Sequence, residues 1–184
     1  MIINKDVESI LVSEEEINSI VKRIADKITE DYKDRDTKLL LLCILKGSVV
    51  FMGDLMKNIG LPVEIDFMKV SSYGRGSKTS GSVNIVLDLQ RNDLNNVDIL
   101  IVEDIIDSGR TLSYLVEYLK LKGANSVKTV TLLDKPSRRE VDFTSDYTGK
   151  VIPDEFVVGY GLDYDEIYRA LPYVGILKRE VYSK

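Results

Sequence analysis

Between Glu14 and Tyr32 the apolar residues Ile17, Ile20, Val21, Ile24 and Ile28 recur at helical spacing, with charged residues filling the other positions. That pattern predicts an amphipathic helix with one buried stripe. Ser13 and Glu16 stand where a capping box would close its first turn, and Val12 with Ile17 fits a hydrophobic staple. The pattern then changes to short apolar runs: Leu39 to Leu45, Val63 to Val70, Val83 to Leu89, Ile99 to Val102, Val127 to Leu133 and Phe156 to Tyr160. Several are apolar at every position, as strands covered on both faces are in a parallel sheet. Helical segments alternate with some of them. "SVVFMGDLMKNIG" follows the first run, with Gly60 as a candidate stop. "TLSYLVEYLKLKG" follows the fourth, with Leu112, Leu115, Val116 and Leu119 on one face and Gly123 closing it. Strand, loop, helix, strand is the order of a doubly wound α/β domain. Ligands of such domains sit beyond the carboxyl ends of the strands.

Composition narrows what those ends can do. The 184 residues carry a net charge of −5, which argues against a nucleic-acid binder, since such a protein needs a positive footprint. A small anion remains acceptable, because a nest of amides and a bound metal reverse the field locally. The single cysteine, Cys43, lies in an apolar run and reads as a core residue suited to a reducing cytoplasm. The N-terminal stretch has no secretory pattern, and no run reaches membrane-spanning length. Histidine is absent, so proton transfer near neutral pH falls to a carboxylate, lysine, tyrosine or the substrate itself.

The fourth apolar run leads into "VEDIIDSGRTL", where Glu103, Asp104 and Asp107 arrive together. A strand ending at Val102 predicts Glu103 and Asp104 at the rim of the sheet. Gly109 then lets the backbone curl, Ser108 and Thr111 add hydroxyls, and the following helix N-terminus adds partial positive charge. An acidic helix cap would account for Asp107 or Ser108 alone. It leaves the Glu-Asp pair unexplained, whereas an anion cradle beside hard oxygen ligands for Mg²⁺ or ribose hydroxyls accounts for both. The glycine- and serine-rich stretch 71–81 is not a nucleotide P-loop: Ser77 precedes Lys78, and a strand follows. It also fails the dinucleotide fingerprint, because Thr79 stands where a third glycine is needed.

"VEDIIDSGRTL" resembles the phosphoribosyl-pyrophosphate motif of the purine/pyrimidine phosphoribosyltransferases. "LLCILKGSVVFMGDL", "VEIDFMKVSSYG", "VTLLDKPSRR" and "PDEFVVGYGLDYDEIYR" resemble the members acting on 6-oxopurines, in order and spacing from about Leu41 to Arg169. The resemblance implies a single type I phosphoribosyltransferase domain: a mostly parallel twisted sheet flanked by helices, with a lid loop. A small hood would come from the N-terminal segment and residues about 135–184. It implies transfer of a 5-phosphoribosyl group from its pyrophosphate to hypoxanthine or guanine, in a cytoplasmic homodimer or homotetramer using Mg²⁺. Xanthine or a pyrimidine as acceptor, or a non-catalytic regulator on the same fold, are the alternatives.

Residue by residue, the resemblance implies that Lys46, Gly47 and Arg169 bind pyrophosphate, with a cis peptide before Lys46. Glu103, Asp104, Asp107, Ser108, Gly109, Arg110 and Thr111 would hold the phosphoribosyl group. Lys135, Phe156, Val157 and Asp163 would meet the purine, and Ser72 and Tyr73 would belong to the lid. Glu103, Asp104 and Asp163 would serve the metal. Asp107 would be the general base, consistent with a chain that has no histidine. The series Tyr160, Tyr164, Tyr168 reads as packing.

Overall fold

The computed structural model describes residues 4–72, 83–91 and 93–183. The chain runs β1 (Val7–Val12), α1 (Glu14–Tyr32), β2 (Lys38–Leu45), α2 (Val49–Asn58), β3 (Glu64–Ser72), β4 (Val83–Leu87) and β5 (Val97–Ile106). It continues through α3 (Arg110–Leu121), β6 (Ser126–Asp134), a 3-10 turn at Pro136–Arg138, β7 (Tyr147–Val151), β8 (Val157–Val158), β9 (Val174–Leu177) and α4 (Arg179–Tyr182). Six strands form one sheet in the order β4-β3-β2-β5-β6-β7. All neighbours are parallel except β3 with β4. A separate antiparallel sheet takes the order β1-β9-β8.

Alternation along the central strands sorts the core. Leu39, Leu41 and Cys43 of β2 and Leu100 and Val102 of β5 pack with Ile17, Ile24 and Ile28 of α1 and Phe51 and Leu55 of α2. Leu40, Leu42, Ile44, Ile99 and Ile101 face the other way, onto Leu112, Leu115 and Leu119 of α3. Both faces are thus covered, which is why these strands are apolar throughout. Strand order reverses between β2 and β5, so their carboxyl ends flank the crevice where doubly wound sheets bind ligands.

α1 has the predicted limits, and the Ser13 side chain accepts from the Glu16 amide at 3.2 Å. Only half of the capping box forms, because the Glu16 carboxylate pairs with Lys150 instead. Val12 and Ile17 are both buried, as a staple requires. Gly123 takes the left-handed conformation (φ +93°) after α3. Gly60 is no such stop: α2 ends at Asn58 and Ile59 is already extended.

Two strands depart most from the hydrophobic runs. β5 continues past Val102 to Ile106, because pairing with β6 persists to Ile106↔Asp134. Glu103 and Asp104 therefore lie within the strand and not on its rim. The run from Phe156 to Tyr160 shrinks to Val157–Val158, since Gly159 (φ +100°) and Tyr160 (φ +51°) turn the chain out of the sheet. β1, β7 and β9 are short pieces that the apolar pattern does not reveal. β7 in particular reads "YTGKV", with alternating polar residues at a sheet edge.

Candidate active site

The extension of β5 places the acidic pair. Successive strand residues point to opposite faces. Glu103 reaches the α3 side, where it lines a small cavity, and Asp104 reaches the loop that precedes α2. Both side chains are enclosed by protein although part of each residue still meets solvent. Burial lifts Glu103 well above the usual carboxylate range, with the charge of Asp104 adding to it. Burial also pushes Asp104 up to about 6, against the Ile105 amide and the Arg169 guanidinium, which favour its anion. The Ile105 amide donates to Asp104 Oδ1 at 2.6 Å, while the buried Glu103 Oε2 has no hydrogen-bond partner. A buried oxygen without a donor is costly unless a ligand satisfies it.

Gly47 lies against Asp104: a Cβ built on it would overlap that carboxylate. Close approach rather than a positive φ is what demands glycine there. The peptide Leu45–Lys46 is cis. Lys46 Nζ meets Glu166 at 2.9 Å, Glu166 meets Arg169 at 3.2 Å, and Arg169 reaches Asp163 at 2.8 Å. Arg169 also donates to the Gly161 carbonyl at 2.8 Å. The two expected pyrophosphate cations are thereby joined through one internal carboxylate. Glu166 is a member of this cluster that the sequence did not single out, although it lies within "DYDEIYR".

Past β5 the chain turns at Gly109, which has φ +80° and serves as the N-cap of α3. The turn closes a cavity of about 100 Å³ lined by Glu103, Ile105, Ile106, Asp107, Ser108, Gly109, Thr111 and Leu112. First-turn amides of a helix have no partners within the helix, so a pocket at this end suits an anion. The Arg110 side chain does not line it; its guanidinium pairs with Glu140 outside. The loop is pinned from behind, where Arg139 donates to the Asp107 carbonyl and to the Asp134 carboxylate, and the Glu140 amide donates to the Ser108 carbonyl at 3.0 Å. Arg139 was another residue without a sequence signal, since one arginine of a surface-like "SRR" looks like the next.

A second cavity of about 250 Å³ shares Ile105 and Asp107 with the first. Its wall includes Lys135, Phe156, Val157, Asp163 and Leu162. Lys135 is buried, donates to the Glu155 carbonyl at 3.0 Å and lies 3.7 Å from the Asp107 carboxylate. Phe156 is 37% exposed, an apolar ring left open at the cavity. The four residues expected at the purine therefore converge, and Asp107 stands between them and the turn at Gly109. Asp163 pairs with Arg169 and accepts from the Glu166 amide. Among the described residues no three carboxylates, cysteines or histidines gather around one point. Of the lid residues, Ser72 closes β3 with its backbone, and Tyr73 lies outside the described residues. Tyr160 and Tyr168 donate to Asp54 and Asp6, which fits the packing role expected of them.

The phosphoribosyl transferase domain family matches residues 9–165. The hypoxanthine-guanine phosphoribosyltransferase of Staphylococcus epidermidis is 54% identical over 181 residues, covering 98% of this chain and 99% of that one. Its counterpart in Bacillus subtilis is 53% identical over 178 residues, 97% of each. The crystal structure of a hypoxanthine phosphoribosyltransferase from Staphylococcus aureus superposes with a TM-score of 0.91 at 50% identity, over 97% of this chain and 96% of that one. That of Trypanosoma cruzi reaches 0.93 at 41% identity, over 100% and 97%. With sequence similarity over nearly the whole chain and the fold in agreement, the chain belongs to the phosphoribosyltransferase family and, within it, to the hypoxanthine-guanine group.

Proposed function

We propose that this protein moves the 5-phosphoribosyl group of phosphoribosyl pyrophosphate onto N9 of hypoxanthine or guanine, giving the nucleoside monophosphate and pyrophosphate. The observation that carries this reading is the pair of cavities meeting at Asp107. The smaller, amide-lined one suits the 5′-phosphate, and the larger, half-apolar one suits a small bicyclic base. Its volume lies just below the range of about 300–1,000 Å³ usual for drug-sized ligands.

N9 attacks the anomeric carbon as the bond from that carbon to pyrophosphate breaks, and the bonding pair leaves with the pyrophosphate oxygen. Asp107 takes the proton from N7. Lys46 and Arg169 receive the charge that develops on the departing group, and any anion binding there must displace the Glu166 carboxylate. Lys135 donates to the 6-oxo group, a fixed ammonium that disfavours a 6-amino base. Phe156 offers its face to the ring.

The orphaned Glu103 Oε2 and the hard oxygens of Asp104, though they leave β5 on opposite faces, are the donors that would suit a magnesium ion. Such an ion supplies charge neutralisation for the pyrophosphate. Glu103 and Asp104 would hold it and the ribose hydroxyls, with Asp163 beside the base end. The three-stranded sheet is read as the hood of one domain, working in a reducing cytoplasm as a homodimer or homotetramer. No described helix is long and apolar enough to cross a membrane.

The test is purine conversion with phosphoribosyl pyrophosphate and Mg²⁺, with and without chelator, over a panel of hypoxanthine, guanine, xanthine, adenine and a pyrimidine. Turnover of the first two that stops with chelator is the expected result. Preference for another base would overturn the assignment of substrate, and turnover indifferent to chelator would overturn the metal.

A further inference from the structure

One wall of the larger cavity belongs to none of the motifs read from the sequence. Tyr182, the last residue of α4, lines it together with Ile105, Lys135 and Phe156. Its ring stacks on that of Phe156, with centroids 4.7 Å apart and planes 20° from parallel. Tyr164 meets the same phenylalanine edge-on, at 5.5 Å and 87°. Phe156 itself precedes β8, outside regular structure, so its ring orientation is not fixed by a ladder on both sides. The hood sheet brings the partners together. β9 pairs with β8, the Leu177 amide donates to the Phe156 carbonyl at 2.8 Å, and α4 follows two residues later.

We infer that Tyr182 is a positioning residue of the purine subsite, whose ring backs Phe156 and holds the plane on which the base stacks. The inference rests on the reading of Phe156 as the purine platform. A ring stacked by Tyr182 and crossed at 87° by Tyr164 keeps a single orientation, so a base stacking on it meets a surface already set. A cavity of about 250 Å³ lies beside the stacked pair and is lined by both rings. Backing and plugging shift the purine constant in opposite directions. Tyr182 also packs partly against the cluster of Val7, Val158, Tyr173 and Leu177, so the test has to separate positioning from simple support.

Steady-state constants for hypoxanthine and for phosphoribosyl pyrophosphate separate the two roles in Tyr182→Ala, Tyr182→Leu, Tyr182→Phe and Phe156→Leu. An aromatic pair is worth about 0.5–1.5 kcal/mol beyond its buried area, so losing it should raise KM for hypoxanthine about 2- to 12-fold. The expected result is that rise in the alanine and leucine variants, a KM for phosphoribosyl pyrophosphate close to wild type, and recovery in Tyr182→Phe. Tyr182→Leu keeps the apolar bulk and so carries the test if the alanine variant folds poorly. A lower KM for hypoxanthine would show a plug and overturn the inference. Equal rises in both constants, or a leucine variant that behaves as wild type, would reduce Tyr182 to support. If Tyr182 variants show no change while Phe156→Leu raises the purine constant, the platform stands and the inference alone fails. If Phe156→Leu also leaves it unchanged, the platform reading fails and takes the inference with it.

Discussion

Asp107 is the residue on which the chemistry converges, since it borders both cavities and faces Lys135. Replacing it by asparagine keeps its size and removes its ability to accept a proton as a carboxylate. Asp107→Asn should lower kcat by roughly 10²–10⁴ while KM values change little. Wild-type turnover in that variant would falsify its role as base. Lys135→Ala is expected to separate the substrates differently. KM for hypoxanthine should rise, and discrimination against adenine should weaken, while phosphoribosyl pyrophosphate binds nearly as before. An unchanged purine constant would remove Lys135 from the base. Asp107 stood out in the sequence beside a glycine turn in a chain without histidine, whereas Lys135 was marked only by the family resemblance, since a loop lysine alone reads as solvated. Glu166 and Tyr182 were marked by neither, since a charged or aromatic residue in a loop carries no mark of the cation or ring it will meet after folding.

The elements show where hydrophobic pattern serves as a guide and where it stops. α1 was readable to the residue because its stripe, cap and staple all agree. β5 was read four residues too short at its carboxyl end, because carboxylates inside a paired strand look like the end of a strand. Backbone pairing to β6 overrides that pattern, and the burial forced on Glu103 and Asp104 is what leaves an oxygen free for a ligand. The turn between β5 and α3 depends on Gly109. A Cβ there would stand 3.1–3.3 Å from Arg139 Cδ, Val141 Cγ2 and Phe143 Cβ, at a φ of +80°. Left-handed backbone costs a residue with a side chain about 1–2 kcal/mol. Gly109→Ala should therefore lower Tm by about 2–8 °C for a chain of this size. It should also raise KM for phosphoribosyl pyrophosphate more than KM for the purine. A variant with wild-type Tm and constants would mean that the curl at Gly109 is not what shapes the phosphate cavity.

At the scale of the molecule, the two ends of the central sheet do different work. The carboxyl ends of β2 and β5 carry the reacting groups, and the amino ends carry a lock around Asp98. Its fully buried carboxylate accepts from Asn125 at 2.8 Å and Arg35 at 3.1 Å, and also from Thr37 and Ser126. One side chain thus ties the segment entering β2 to β5 and to the turn entering β6. Sequence pattern hid this, since a lone aspartate before "ILIV" reads as the polar edge of a strand. Burial would raise its pKa, but the donors of Ser126, Thr37, Asn125 and Arg35 together outweigh burial and hold it below the usual aspartate value. A carboxylate whose pKa is lower folded than unfolded adds stability above the unfolded value, near 4, and that stability disappears as pH falls through the folded value. Asp98→Asn loses the charge that these donors meet, and should cost about 1.5–3 kcal/mol at pH 7. Acidification below about pH 4 should narrow the gap between the variant and the wild type, because the wild type then loses the same contribution. Urea unfolding at pH 7 and at pH 3 measures both terms. At 25 °C the folded variant should turn over substrate at the wild-type rate, since the lock lies at the far end of the strands from Asp107. A gap that widens in acid would refute the assigned sign, and a loss of kcat with an unchanged urea midpoint would show that the two ends of the sheet are not separate.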